Sequence, residues 1–372
     1  MKSIGIIAEY NPFTNGHLYH LNTIKDMYPE HTIILVMNGH FTERGDVSVI
    51  NKWKRTEIAL RLGVDLVVEL PFPFATQSAD FFAYGAITLL EKLKVEKVIF
   101  GSESNNIKDL EEIAKIQVDN DELEKLVKVY SKLGANYPTA LSNAIYDLTG
   151  KRIDTPNDLL GISYIKTIIK NNYNIIPESI ERTNSYHDSI ESATNIRRLL
   201  KEDYNVDKYI PKEVKFHLQD LHFLDDYFDL LKYKIITEKD LTIYQTVEEG
   251  IENLLKKEIT NSYSLEEFIS KIKSKRYTHN KIKRMLIHIL CNFTKEKAKN
   301  MKEITYIRLL GFNSKGKEYL NQIKKDIDIP IISKITREKD PMLEYEIETT
   351  KIYDIPTKEN CTKQEFDKII NI

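Results

Sequence analysis

The chain has 372 residues, 41% apolar and 30% charged, with 54 basic and 56 acidic side chains and a formal net charge of −2. That length suggests two or three domains, and the composition excludes a largely disordered chain. Its two cysteines, Cys291 and Cys361, exclude a disulfide framework and a cysteine-rich zinc site, and point to a reducing, cytoplasmic compartment. The start, Met1-Lys2-Ser3, runs into a short apolar stretch ended by Glu9 with no small-residue cleavage site, so no signal peptide is expected. No uncharged apolar run approaches the ~18 residues that span a bilayer, so no membrane partner is expected either.

The first hundred residues alternate between two periods. Ile4 to Ala8 is an unbroken apolar run, suited to a strand buried on both faces. A Pro/Asn/Gly loop leads into a helix from about Gly16 to Met27. Thr32 to Met37 predicts a second strand, Asn51 to Leu62 a helix stopped at Gly63, and Asp65 to Leu70 a third strand. Ala79 to Leu93 reads as a helix and Val95 to Phe100 as a fourth strand. Residues 107 to 135 look helical and charged, an excursion from the sheet. Pro156 opens another helix, Asn174 to Glu181 supplies a fifth strand, and Ser192 to Lys201 a further helix. This alternation predicts an α/β fold, a Rossmann-like parallel sheet with right-handed crossovers. Pro211 marks a boundary, giving residues 1–210 as the sheet domain and 211–372 as a mainly helical one. The tail from Ile304 mixes a short helix with extended pieces such as Ile329 to Ile335.

In parallel sheets ligands sit beyond the C-terminal strand ends, where the first unusual loop lies: Glu9-Tyr10-Asn11-Pro12-Phe13-Thr14-Asn15-Gly16-His17-Leu18-Tyr19-His20. The following helix start offers free N–H groups and a positive dipole end to a phosphate. Gly16 permits close approach. His17 and His20 share a helix face and can donate hydrogen bonds to phosphate oxygens. After the fifth strand, Ser192-Ala193-Thr194-Asn195-Ile196-Arg197 offers two hydroxyls and an arginine at a helix start, a second anion site. Taken singly, the first segment reads equally as a helix start with surface histidines, and the second as a Ser/Thr N-cap with a solvated arginine. Together, each at a strand end, they could grip one triphosphate and favour attack at its α-phosphorus.

The pair resembles the H-x-G-H and I-S-S-T-x-I-R signatures of the nucleotidyltransferase-like (HUP-type) Rossmann folds. Thr14 stands where those folds carry the first histidine; its hydroxyl can bond phosphate but cannot carry charge. Further segments narrow the likeness: Asn38-Gly39-His40-Phe41-Thr42-Glu43-Arg44-Gly45, Pro71 to Asp80, Phe100-Gly101-Ser102-Glu103, Pro156-Asn157-Asp158-Leu159-Leu160-Gly161, Glu181-Arg182, Tyr186-His187-Asp188, Lys275-Arg276-Tyr277-Thr278 and Leu310-Gly311-Phe312-Asn313. This ordered set resembles the bacterial tRNA(Met) cytidine acetate ligase family over nearly the whole chain. Glu43 departs from the glutamine usual there.

The resemblance implies an ATP-dependent ligase. Acetate and ATP would form acetyl-adenylate, and the acetyl group would pass to the exocyclic amine of the wobble cytidine of elongator tRNA(Met). It implies that Ile7, Ala8 and the loop through His20 bind ATP, that Gly101, Asn157 and Arg182 contact it, and that His17, Thr14 and Arg197 serve the chemistry at the phosphates. Acetate is already ionised at neutral pH, so the enzyme must align and neutralise anions rather than supply a base. Arg44, Gln77, Ser78 and Asp80 could line the acetate pocket; Asp80 reads equally as an acid near a helix start. Magnesium would arrive with ATP; no spacing suggests a metal site built by the protein.

Between Lys271 and Lys302 stand eleven basic residues against one acid, Glu296. Lys275, Arg276, Lys283 and Arg284, with Tyr277 among them, suit an RNA backbone and an unstacked base; a solvated helix in a lysine-rich chain is the competing reading. Lys52, Lys54 and Arg55 could extend this track toward the nucleotide. Trp53, Cys291 and His288 are expected to pack in the interior. Two other functions stay open from sequence: a nucleotidyltransferase acting on a small metabolite, and a catalytically silent RNA-binding protein.

Overall fold

A computed structural model of the chain describes residues 1–135, 137–182, 192–274, 277–336, 340–357, 359–367 and 369–372. Among the described residues, eight strands form one sheet: β1 (Ser3–Ile7), β2 (Thr32–Asn38), β3 (Leu66–Leu70), β4 (Lys97–Ser102), β5 (Ile176–Glu181), β6 (Ile307–Phe312), β7 (Ile331–Ile332) and β8 (Ile370–Asn371). Their order is β5-β4-β1-β2-β3-β6-β7, with β8 also on β6. The first five strands pair in parallel. β1 sends its chain to β2 on one side and has β4 on the other, which makes the β1/β4 boundary the switch point where strand-end loops part and leave a crevice.

The apolar runs behave as their patterning requires. β2 and β3 are buried along their whole lengths, because helices cover both faces. One core cluster collects Ile34, Val68, Ala86 and Leu90; the other collects Ile6, Leu35, Ile58 and Leu310. Adjacent residues of one strand thus enter opposite layers. Helix Asn15–Met27 links β1 to β2, Lys52–Leu62 links β2 to β3, and Ala79–Lys92 links β3 to β4. The excursion after β4 is helical, with helices Ile107–Asp119, Asp121–Lys132 and Tyr137–Thr149.

The sheet does not end within the first 210 residues. β6 pairs antiparallel with β3, Leu66 opposite Phe312 and Glu69 opposite Arg308. An uncovered β3 edge would leave a row of backbone donors and acceptors unpaired, and Ile307, Leu309 and Leu310 carry β6 into the core. A buried ionic cluster fixes this junction. Lys52 Nζ lies 2.6 Å from Glu69 and 2.5 Å from Glu365, and Arg308 donates to the Glu365 carbonyl at 2.9 Å. Glu346, on helix Pro341–Asp354, accepts the Phe72 N–H at 2.8 Å. Burial, with Glu69 beside it, raises the Glu346 carboxyl well above the usual range. The described residues between 224 and 300 form a helical layer, with helices Phe228–Thr237, Ile251–Ile259, Leu265–Ile272 and His279–Leu290.

Candidate active site

The loop after β1 turns at Tyr10, whose φ of 46° lies in the left-handed region that a bulky residue enters only when packing enforces it. The enforcing contacts are aromatic. The Tyr10 ring lies 4.3 Å from Phe13 and 5.0 Å from His17, and Phe13 lies 5.6 Å from His17, centroid to centroid. Asn11 ties the loop to the chain beyond β2, accepting from Val49 N–H at 2.8 Å. Buried Arg55 stitches the strand ends together. Its guanidinium donates to the carbonyls of Glu9 (2.6 Å), Ile50 (3.0 Å) and Asn38 (3.1 Å), and to Gly39.

Thr14 and His17 form a reciprocal cap on helix Asn15–Met27. Thr14 N–H donates to His17 Nδ1 at 3.0 Å, and His17 N–H donates to Thr14 Oγ1 at 3.3 Å. Nδ1 is thereby an acceptor, and the ring proton resides on Nε2. No hydrogen bond among the described residues occupies Nε2. Burial lowers the His17 pKa to about 3, with Arg182 and His20 adding to the effect. Burial and Arg182 bring His20 to about 4. His17 is therefore a neutral, oriented donor. Its neighbour His20 keeps a buried Nε2 with no hydrogen-bond partner among the described residues.

The helix start is less open than its position suggests. Asn15 N–H donates to the Tyr209 carbonyl at 2.9 Å and Leu18 N–H to the Thr14 carbonyl at 3.0 Å. Only the Gly16 N–H of the first turn lacks an acceptor among the described residues. A Cβ on Gly16 would meet nothing nearer than Thr14 Oγ1 at 3.6 Å, so open space faces this backbone.

The two separated loops meet. Arg197, on helix Ala193–Lys201, donates from Nη1 to the Asn11 carbonyl at 2.7 Å and from Nη2 to Thr194 Oγ1 at 3.3 Å. Ser192 caps the same helix by accepting the Asn195 N–H at 3.2 Å. Across the β1/β4 crevice, the Arg182 side chain lies beside Gly101, where an added Cβ would come within 3.3 Å of Arg182 Cγ. The exposed Arg182 guanidinium has no hydrogen-bond partner among the described residues.

The loop after β4 is built by a residue that sequence reasoning passed over. Buried Asp158 accepts from Glu103 N–H (3.2 Å), Ser104 N–H (3.0 Å), Thr155 Oγ1 (2.8 Å) and the Ser102 hydroxyl. The signal was present in Thr155-Pro-Asn-Asp158, a hydroxyl followed three residues later by an acid at a helix start. Asn157 donates to Glu103 at 2.5 Å, which places its amide at the same loop.

Several expected residues take other roles. Lys52 and Arg55 are buried and satisfied, and Lys54 pairs with Glu359 at 2.5 Å, so none of them extends a cationic track. Tyr277 is buried and donates to the Glu248 carbonyl at 2.6 Å, so it cannot stack on a base. Gln77 is buried, accepting from Gln245 at 3.1 Å, and Asp80 pairs with Lys166 at 2.5 Å. Trp53 and Cys291 pack inside, and buried His288 has hydrogen-bond partners at both ring nitrogens, the Gln245 carbonyl near Nδ1 and the Thr76 carbonyl near Nε2. Lys283 and Arg284 each face an acid, Asp46 at 2.9 Å and Glu43 at 2.7 Å. Lys275, Arg276 and the Tyr186-His187-Asp188 segment lie outside the described residues. No group of three or more His, Cys, Asp or Glu able to hold a metal occurs among the described residues, nor any helix long and apolar enough to cross a membrane.

Residues 1–368 match the HIGH Nucleotidyl Transferase family. A tRNA(Met) cytidine acetate ligase of Geobacillus sp. (strain WCH70) is 39% identical over 98% of this chain and 98% of its own. That of Bacillus subtilis (strain 168) is 36% identical over 99% and 95%. The apo crystal structure of Thermotoga maritima TmcAL superposes with a TM-score of 0.93 at 30% identity, covering all of both chains. The form bound with alpha-thio ATP superposes at 0.91, with the same identity and coverage. With matches of this extent, the chain belongs to the HIGH nucleotidyl transferase family and, within it, to the tRNA(Met) cytidine acetate ligases.

Proposed function

We propose that this chain is an ATP-dependent tRNA(Met) cytidine acetate ligase whose ATP lies in the crevice between β1 and β4. The observation that carries the site is the 2.7 Å bond from Arg197 to the Asn11 carbonyl, which brings two phosphate-directed motifs, distant in sequence, to one loop. The triphosphate runs over Gly16 N–H and His17 Nε2–H, and Arg182 supplies a charge with no competing protein acceptor among the described residues. Thr14 acts through His17 by fixing its tautomer, so it is a positioning residue. Asn157 and Gly101 bound the nucleotide on the β4 side.

The chemistry follows from these donors. A carboxylate oxygen of acetate attacks the α-phosphorus, pyrophosphate leaves, and the added negative charge meets preorganised N–H donors in a half-buried site. The cytidine amine then attacks the acetyl carbon, AMP departs and the amine loses a proton. Magnesium would enter with ATP and would be held mainly by phosphate oxygens and water, where it would help neutralise the triphosphate. Residues 1–210 hold the nucleotide. The helical part of residues 211–372, with Lys275, Arg276, Lys283 and Arg284, meets elongator tRNA(Met) in the cytoplasm.

ATP–pyrophosphate exchange tests this reading. Exchange that requires acetate, and is not supported by an alcohol phosphate, is the expected result. Exchange that depends on another co-substrate contradicts the acetate assignment.

A further inference from the structure

Helix His279–Leu290 rests directly on the turn at 42–46, which follows β2. Gly45 has a φ of 75°, and a Cβ there would lie 2.2 Å from the Arg284 backbone nitrogen. Two ion pairs flank this contact. Arg284 Nη1 meets Glu43 Oε1 at 2.7 Å and Lys283 Nζ meets Asp46 Oδ2 at 2.9 Å, all four side chains being 17–22% exposed. Arg284 also donates to the Glu43 carbonyl at 3.2 Å. The turn reaches the nucleotide loop through Glu43 N–H, which donates to Glu9 Oε1 at 2.7 Å. Lys281 stands over the Tyr277 ring at 4.3 Å, and Arg44 has no acid partner among the described residues.

Arg44, Lys283 and Arg284 thus lie together at the turn after β2, and the two that come from the helix are covered by acids. We infer that Glu43 and Asp46 stand in for two phosphates of an RNA backbone, holding Arg284 and Lys283 in place until a docking RNA displaces them. The inference rests on the RNA-directed reading above. All four side chains keep some solvent exposure, so an incoming phosphate can reach Arg284 and Lys283. A phosphate offers Arg284 the same forked acceptor geometry as a carboxylate. Because the turn is bonded to Glu9, the displacement takes place beside the nucleotide loop, where the acyl acceptor must arrive.

Binding of an unmodified tRNA(Met) transcript to the full chain, followed across a salt series, tests the exchange. In the wild type, each displaced acid must take up a cation or a proton, which offsets one counterion released from RNA. Glu43→Gln removes that offset. It is expected to tighten binding about threefold to tenfold and to steepen the salt dependence by ~0.7–0.9 in log–log slope. Asp46→Asn is expected to do the same through Lys283, and it serves if Glu43→Gln melts early. In an Arg284→Gln background, Glu43→Gln should change the affinity less than about twofold, because the pair is already broken. An equal gain in both backgrounds would mean a general charge effect and overturn the inference, as would no gain in either. Failure of the wild type to bind the transcript at low salt would overturn the RNA reading itself; binding that Glu43→Gln leaves unchanged would overturn the exchange alone.

Discussion

At the scale of single residues, the site depends on where one proton sits. The imidazole of His17 accepts at Nδ1 from its own helix cap, so it offers Nε2–H to a ligand while remaining neutral above a pKa of about 3. Replacing His17 with alanine removes that donor. Loss of one preorganised donor to a developing oxyanion costs about 100-fold in rate, so the variant should slow acetate-dependent pyrophosphate exchange by that order. Its affinity for RNA should be unchanged, as measured by filter binding; a parallel loss of RNA affinity would contradict the assignment. Sequence reasoning singled out His17 and Arg197 from their placement at strand ends. The neutral state of the ring was not legible there, because it follows first from burial and then from the nearby Arg182 and His20, groups that only the fold brings together. The burial of Lys52 and Arg55 was equally hidden: a lysine or arginine in a helix reads as solvated until its acceptors, Glu69, Glu365 and the strand-end carbonyls, are placed in space.

At the scale of elements, the strands and crossover helices of the first 200 residues follow their apolar periods closely. The predicted strand from Thr32 to Met37 stands at Thr32–Asn38, and the predicted helix from Ala79 stands at Ala79–Lys92. β6 was harder to read because its partner, β3, lies some 240 residues away, and pairing at that distance leaves no local pattern. The docking of helix His279–Leu290 on the 42–46 turn depends on Gly45. An alanine there would combine left-handed backbone strain with overpacking against Arg284. Overpacking alone costs typically 1–3 kcal/mol. Gly45→Ala should therefore lower stability by at least ~1 kcal/mol in chemical denaturation, and an unchanged midpoint would contradict the packing described.

At the scale of the whole molecule, histidines shielded from water tie stability to pH. His17, His20 and His288 are lowered to about 3, 4 and 4, in each case first by burial, from ~6.5 in the unfolded chain. The unfolded state then binds more protons between these values, so stability is full above pH ~6.5 and falls as the pH drops toward 4. Urea midpoints should decline over that interval. His20→Asn, which removes an imidazole whose buried Nε2 has no partner among the described residues, should flatten the decline. The most direct measurement of the central claim follows oxygen from acetate. With doubly 18O-labelled acetate, ATP and a tRNA(Met) transcript, attack on the α-phosphorus places one heavy oxygen in AMP and one in the acetylated cytidine. The account predicts both, with pyrophosphate as the other product. Heavy oxygen in inorganic phosphate, with ADP formed in place of AMP, would contradict it.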